Sequence, residues 1–295
     1  MLARSVLGAT LSHDVAMNKI AAGVIACSMI GVAQAAEEPR STDRNPLESK
    51  FIIDAGYFFM STDMRVRVDG ETTDQVGSDI DYDDTFGIGD FDRFRADGLW
   101  RIAPRHLIRA MYFQNNRHGE RAISREVNFG DETFPVGAMV DARSELTVAQ
   151  LSYEYAFLRR ENYELAGGIG VHYVDMGLSL DGTISVAGNQ ASRRADADAS
   201  TSAPLPVLGL RWMWRLPHNF YVNAQAQYFY LQFDPYSGSL IDLKASVVWQ
   251  GSDHFGVGLG YNDFGFRFDV ESKRDFDGRL RWDYGGAMAF ATFMF

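Results

Sequence analysis

The chain has 295 residues, a formal net charge of −11 at pH 7, and 46% hydrophobic residues with 13% aromatic residues. The acidic balance argues against nucleic acid as a partner. The single cysteine, Cys27, excludes a disulfide within the chain.

Residues 1–36 are predicted to be an export signal peptide. Lys19 precedes an apolar stretch, and Ala33-Gln34-Ala35 has the small-x-small pattern of a signal-peptidase site. Met17 is an alternative start, because the upstream Asp14 fits an apolar signal core poorly. The apolar stretch falls short of the roughly 18 residues that a membrane-spanning helix needs.

A lipoprotein signal is the second interpretation of this segment. Val24-Ile25-Ala26-Cys27 resembles a lipoprotein processing box, which would acylate Cys27, but the apolar stretch continues to Ala36. Cleavage near Ala35 would instead remove the only cysteine and leave a mature protein without thiol chemistry. Residues 37–50 are then predicted to be a flexible periplasmic lead-in.

From residue 51 onward, apolar and polar residues alternate. Even positions from Phe220 to Tyr230 are apolar or aromatic, and Asn223, Gln225 and Gln227 lie between them. Such a period of two is typical of strands, and in a transmembrane barrel the apolar face meets lipid. We predict an all-β, antiparallel up-and-down barrel of about ten strands, with eight or twelve as alternatives. The predicted strands are 51–68, 90–103, 105–117, 136–158, 162–180, 204–216, 219–233, 239–250, 254–268 and 279–295.

The predicted turns alternate between short and long. Barrels place short turns in the periplasm and long loops outside, so an even strand count puts both termini in the periplasm. Segments 121–129 and 133–140 are interpreted as a hairpin that extends the third and fourth strands above the membrane. As separate spans, they would raise the count to twelve.

Two strands change the parity of their apolar residues. In the last strand these residues are even up to Tyr284 and odd at Phe293, and a bulge at Gly285-Gly286 would explain the change. The alternative keeps even residues on lipid throughout and turns Ala287, Ala289 and Ala291 inward. A bulge at Asn262-Asp263 is predicted in the preceding strand for the same reason.

Charged residues in mid-strand are predicted to point into the barrel, because an arginine facing lipid near the midplane costs about 2–4 kcal/mol. Since small barrels are filled by side chains, one interpretation is an internal ionic network, and the other is a constricted, anion-favouring pore. The network would also include Arg279, Arg281 and Asp283. The principal candidates are Arg93, Arg95, Asp97, Arg101, Arg109, Glu154, Glu164, His172, Arg211, Arg215, Asp242 and Lys244.

The first long loop is strongly acidic. Asp79, Asp81 and Asp83 resemble part of a calcium loop, but Asp84 stands where an EF-hand needs glycine, and no helices are predicted beside it. We therefore predict no specific metal site and no cofactor, with loosely bound divalent cations at most.

Two catalytic arrangements are weaker alternatives. His172 and Asp175 invite comparison with omptins, and Ser152 with His172 invites comparison with lipid-modifying hydrolases of the outer membrane. A histidine in a polar lumen is more often part of a hydrogen-bond network, so a non-enzymatic protein is preferred. The tryptophans are assigned to an interfacial aromatic girdle. They are Trp100, Trp212, Trp214, Trp249 and Trp282.

The chain ends on Phe293-Met294-Phe295. With the export signal and the alternation over 51–295, this ending resembles Gram-negative outer-membrane β-barrel proteins. The resemblance implies an outer-membrane location, contacts with membrane lipid and lipopolysaccharide, recognition of the last strand by the barrel-assembly machinery, and a monomer. The expected function is a structural or surface-interaction protein or a narrow porin-like channel. An outer-membrane enzyme is the alternative.

Overall fold

The computed structural model describes residues 45–70, 75–88, 91–185, 192–233, 236–271 and 277–295. The predicted signal peptide and most of the predicted lead-in lie outside the described residues. No helix among the described residues is long and apolar enough to cross a membrane.

The described residues form antiparallel strands and one helical turn. Ten long strands pair in sequence order, and the last pairs with the first, so the sheet closes into a barrel. The predicted ten-strand barrel is confirmed. The elements are β1 (Phe51–Val68), β2 (Ile80–Asp81), α1 (Tyr82–Phe86), β3 (Phe91–Ala103), β4 (His106–Ala122), β5 (Val127–Phe129), β6 (Glu132–Phe134), β7 (Met139–Arg159), β8 (Tyr163–Ser185), β9 (Ser192–Arg215), β10 (Phe220–Phe233), β11 (Tyr236–Gln250), β12 (Phe255–Glu271) and β13 (Asp277–Met294).

The strands are strongly staggered. Following paired residues once around the barrel from Phe51 returns to β1 at Asp63, twelve residues further along. This shear tilts the strands by roughly 35–45° and leaves an interior that side chains can fill. The path passes through Trp100, Ile108, Tyr153, Ile169, Leu208, Tyr228, Ile241, Gly265 and Asp283.

The two predicted bulges are wrong. The pairing of β12 with β13 runs without a register shift from Phe255 to Glu271, and β13 pairs with β1 equally regularly. Even residues of both strands therefore point inward throughout, and Phe293 points outward. The even aromatic residues face the interior because that part of the barrel is itself apolar.

Several predicted orientations change as a result. Trp282 is only 1% exposed and lies inside the barrel, so it does not belong to the aromatic girdle. Arg279 and Arg281 lie on the outer face, where they pair with Asp269 and Asp283 at 2.7 and 2.9 Å. Trp100, Trp212, Trp214 and Trp249 do lie exposed on the outer face.

We call the end of the barrel with the brief β3–β4, β7–β8, β9–β10 and β11–β12 connections the short-turn end, and the opposite end the long-turn end. The four outward tryptophans lie near the short-turn end. The stretch 181–203, predicted to be a long loop, is largely strand, because β8 and β9 stay paired from Tyr163↔Trp214 to Ser185↔Ser192.

A lid, which consists of α1 and the β5–β6 hairpin, closes the long-turn end. β4 and β7 do extend together to Ala122↔Met139, but the β5–β6 hairpin between them folds over the barrel instead of prolonging these strands. The hairpin buries Phe129 and Phe134 completely, and α1 buries Tyr82. The Tyr82 hydroxyl donates to the carbonyl oxygen of Arg143 at 2.7 Å, which fixes the lid to β7.

The N-terminal described segment closes the short-turn end. Leu47 is buried, and its carbonyl oxygen accepts a hydrogen bond from Arg159 at 2.8 Å. The backbone N–H groups of Lys50 and Phe51 both donate to the carbonyl oxygen of Phe295. Residues 45–50, predicted to belong to a flexible lead-in, therefore contact the barrel.

Candidate functional site

An ionic network fills the interior near the short-turn end. Arg211 on β9 donates from Nε to Glu154 at 2.6 Å and from a terminal nitrogen to Glu164 at 2.6 Å. Arg109 donates to the second oxygen of Glu154 at 2.8 Å, and Arg101 binds Glu164 with both terminal nitrogens at 2.9 and 3.2 Å. The chain of contacts crosses the interior from β3 and β4 to β9.

A second polar cluster lies next to the first, further from the short-turn end. Asp97 accepts from Arg95 Nε at 3.0 Å, and its other oxygen lies 3.0 Å from Lys244 Nζ. Asn262 accepts from Arg95 and donates to Asp242 at 2.6 Å. All five side chains are buried, so this cluster also links opposite walls of the barrel.

Within and beside the two clusters the charges balance. Five buried bases, Arg95, Arg101, Arg109, Arg211 and Lys244, lie with four buried acids and the half-buried Asp54. Outside the clusters, the buried Arg117 pairs with Asp83. Buried ion pairs require such a balance of charge. A row of unpaired arginines, as in an anion-favouring pore, would lack it. The acids are Asp54, Asp97, Glu154, Glu164 and Asp242.

The remaining predicted interior residues lie at the margins of the network. Arg93 points inward and donates to Asn115 Oδ1 at 2.7 Å, and Arg215 lies half-buried at the last residue of β9. His172 is fully buried, and its Nε2 lies 2.6 Å from Gln227 Oε1. All twelve predicted interior residues therefore lie on the inner face.

Little free space remains around these side chains. One cavity, beside Ser152, Glu154 and Arg211, has a volume of about 10 Å³. Another, beside Asp97 and Arg109, is equally small. Each has room for about one water molecule. The two cavities beside the ionic network are therefore each about the size of one water molecule.

Toward the long-turn end the interior becomes apolar, which the alternation failed to predict. Phe264 and Tyr284 stack with ring centroids 4.6 Å apart, and Trp282 packs on both. The indole N–H of Trp282 donates to Thr62 at 3.0 Å. The only signal for this aromatic layer was the even spacing of Leu280, Trp282 and Tyr284.

The interior does not assemble either catalytic arrangement. Asp175 lies exposed on the outer face of β8, opposite in direction to His172. Ser152 Oγ accepts from Gln150 at 2.9 Å, and the contact of His172 is with Gln227. Among the described residues, no histidine is therefore hydrogen-bonded to both a nucleophile and a carboxylate.

The acidic loop residues have separate partners. Asp81 caps α1 by accepting from the N–H of Asp84, and Asp83 accepts from Arg117 at 2.7 Å. The carbonyl oxygen of Asp79 accepts from Arg125. Burial raises the pKa of Asp83 to about 6, although Arg117 opposes the shift. Across the described ranges, no group of three His, Cys, Asp or Glu side chains is placed to hold a metal ion.

Comparisons with known proteins identify the fold. No family model matches the chain, and no curated protein matches it significantly. The crystal structure of outer membrane protease OmpT from Escherichia coli superimposes with a TM-score of 0.51 at 11% identity, covering 87% of this chain and 100% of that chain. The toluene transporter TodX from Pseudomonas putida has a TM-score of 0.33 at 9% identity, covering 86% and 92%.

Ail, the attachment invasion locus protein of Yersinia pestis, has a TM-score of 0.32 at 13% identity and covers 84% of this chain and 99% of that chain. Identities this low show the fold alone. The closed ten-strand antiparallel barrel and its likeness to OmpT show that the chain has the fold of an outer-membrane β-barrel protein.

Proposed function

We propose that this protein is a non-enzymatic outer-membrane barrel without an axial pore, which acts at the cell surface as a structural or surface-interaction protein. The observation that carries the proposal is a pair of contacts that span the interior, from Lys244 on β11 to Asp97 on β3 and from Arg101 on β3 to Glu164 on β8. A narrow anion channel would need these side chains to leave a continuous water path.

The two closed ends support the same proposal. Phe129 and Phe134 are buried under the lid, and Leu47 is buried at the short-turn end. A pore would have to displace both segments as well as the ionic network. The proposal therefore treats the interior charges as a structural network.

The outer face supports an orientation. Outward residues such as Tyr173 on β8 are apolar or aromatic near the middle of the barrel, whereas Asp175 and Asp181 follow toward the long-turn end. Polar residues on the outer face belong outside the hydrocarbon. The long-turn end would then be extracellular and both termini periplasmic, with the β8–β9 hairpin projecting above the membrane.

Three partner assignments accompany this proposal. The outer face would contact membrane lipid and lipopolysaccharide, and the exposed Phe293 and Phe295 would be available to the barrel-assembly machinery. Since β1 and β13 pair with each other, a second copy is not needed to cover the first and last strands, which supports a monomer.

Planar-bilayer recording tests the proposal. The refolded protein, whose folding is verified by heat-modifiable migration on a gel, should give no conductance steps. Regular steps with anion preference would contradict it and support a channel. The enzyme alternative is tested by incubating the protein with lipopolysaccharide and phospholipid. Mass spectrometry should find both lipids intact, and released acyl chains would support a hydrolase.

A further inference from the structure

The barrel wall contains a seam between β9 and β10. Their paired residues run from Arg215↔Tyr221 to Leu208↔Tyr228 and then stop. Both strands continue beyond this point, since β9 extends to Ser192 and β10 to Phe233. From Leu208 and Tyr228 toward the long-turn end, β9 and β10 are therefore not joined by ladder hydrogen bonds. In this region β9 stays paired with β8, and β10 stays paired with β11.

Two prolines explain where the pairing stops. In an antiparallel strand, successive N–H groups point alternately to the two neighbours. The N–H of Arg215 donates to Asn162 on the β8 side, so odd residues of β9 point toward β8 and even residues toward β10. Pro204 and Pro206 are even and have no N–H. They remove two donors on the side of β9 that faces β10.

The seam gives access to the apolar interior. Leu231 on β10 has the same inward parity as Phe229, yet its side chain is 44% exposed. Across the seam, Leu205 and Val207 on β9 are buried. Apolar side chains of the inner face are therefore reached from outside at this position.

An apolar cavity lies beside the part of β9 that is not paired with β10, toward the long-turn end, and its lining comes from β1, β8, β9, β12 and β13. It has a volume of about 30 Å³, and Met176, Leu178, Phe268 and Leu280 contribute to its lining. Ala199 lies on the β9 wall of this cavity. A cavity of this size could hold about two water molecules, but carbon-lined cavities stay dry and accept apolar atoms.

The position of the seam determines what can enter it. Leu208, Tyr228 and Tyr230 flank the seam with exposed side chains on the lipid-facing surface. In the orientation proposed above, this level is the outer leaflet. The molecules available there are lipids and other amphiphiles, whose alkyl chains match the apolar lining.

We propose that the β9–β10 seam is a lateral binding site for an alkyl chain, with the end of the chain in the cavity beside Ala199. The site does not require an axial pore and is separate from the surface role. Its depth suits one chain end, because the cavity is too small for a complete lipid.

Trp282 provides a reporter for the site. It is buried and lies two residues from Leu280 on the same face of β13. The other four tryptophans are changed to phenylalanine, and the protein is placed in phosphatidylcholine vesicles. A fatty acid brominated near its methyl end is then added, because bromine quenches tryptophan fluorescence only at short range. We expect saturable quenching of Trp282, and unbrominated fatty acid should compete.

Two variants and one control make the test specific. Ala199→Phe fills the cavity and should abolish the quenching. The double variant Pro204→Val/Pro206→Val restores both N–H donors, so it should extend the β9–β10 ladder and also reduce the quenching. This second variant keeps the test decisive if Ala199→Phe folds poorly. As control, Leu210→Trp with Trp282→Phe places a lone tryptophan on the lipid face, which the probe should quench in every background.

Quenching of the control without quenching of Trp282 would overturn the proposal, as would quenching of Trp282 that both seam variants leave unchanged. Repeating the experiment with a phospholipid brominated at the same chain position separates the two sources of the chain. Quenching by the fatty acid alone assigns the site to free amphiphiles, and quenching by both includes membrane lipid. Neither result depends on whether the barrel conducts.

Discussion

Arg211 and Glu164 are joined by a hydrogen bond of 2.6 Å inside the barrel, and neither side chain has more than 1% of its surface exposed. Removing two charges from water is costly, and the attraction between them offsets this cost only when the remaining donors and acceptors are also satisfied. Arg101 and Glu154 supply part of that satisfaction. The pair therefore depends on the whole network.

Changing Glu164→Gln should destabilise the barrel strongly. The change leaves Arg101 without its buried counter-charge and leaves Arg211 with Glu154 alone, which Arg109 shares. Breaking a buried pair in this way costs about 3–5 kcal/mol. Urea unfolding in lipid vesicles, followed by tryptophan fluorescence, measures the difference. The matched control is Glu145→Gln, because Glu145 is exposed on the outer face of β7. Equal effects of the two changes would contradict the structural role of the network.

The sequence predicted the inner face of the charged strands well because a charge in lipid is costly. Arg95, Arg211 and Glu154 could face only the interior, and the structure places them there. Aromatic residues carry no such penalty. Trp282 and Phe264 suit lipid or an apolar interior equally, so alternation alone could not orient them.

The alternation of apolar and polar residues could not predict the lid or the seam, for two different reasons. The β5–β6 hairpin has strand-like segments that fold over the barrel, and only tertiary contacts such as the hydrogen bond from the Gly130 N–H to the Val68 carbonyl oxygen reveal this. Pro204 and Pro206 were visible in the sequence. They interrupt the pairing of β9 with β10 but not with β8, and this difference depends on the direction in which each backbone N–H would point.

Trp282→Ala should cost much more stability than the same change at the lipid-facing Trp249. Trp282 is packed against Phe264 and Tyr284, and removing a buried tryptophan typically costs about 3–5 kcal/mol. Trp249 is 40% exposed, so its removal leaves no internal cavity. Urea midpoints of the two variants give the comparison. A smaller loss for Trp282→Ala would show that the aromatic layer contributes little.

The lid should bind more tightly in acid. Because burial raises the pKa of Asp83 to about 6 from an ordinary value of 3.8, the docked lid holds a proton more readily than the undocked lid. Docking is then favoured at low pH and weakens as the pH rises through about 6. Hydrogen-exchange protection factors in α1 should be higher at about pH 4.5 than at pH 7.

Asp83→Asn should remove this pH dependence, because the amide does not titrate. Asp84→Asn is the matched control, since Asp84 is exposed in the same helical turn and should leave the dependence intact. If protection in the unmodified protein rises with pH, the shift of Asp83 does not govern the lid. In that case the ion pair with Arg117 would dominate instead.

Gly286→Ala tests the closure of the barrel at β1 and β13. A Cβ atom at this position would clash with the carbonyl oxygen of Phe59 and would lie 3.1 Å from Cα of Met60, so the backbone would have to shift. The glycine that resembled a bulge therefore marks a close approach of two strands. Overpacking of this kind costs about 1–3 kcal/mol.

Gly98→Ala is the control for this change, because a Cβ atom at Gly98 would meet nothing within 4 Å. Gly286→Ala should lower the urea midpoint and slow the appearance of the heat-modifiable folded band, since β1 and β13 must meet to close the barrel. Gly98→Ala should behave like the unmodified protein. Equal behaviour of the two variants would mean that the closing strands can separate slightly without loss of stability, and the regular β1–β13 register would then tolerate a bulge after all.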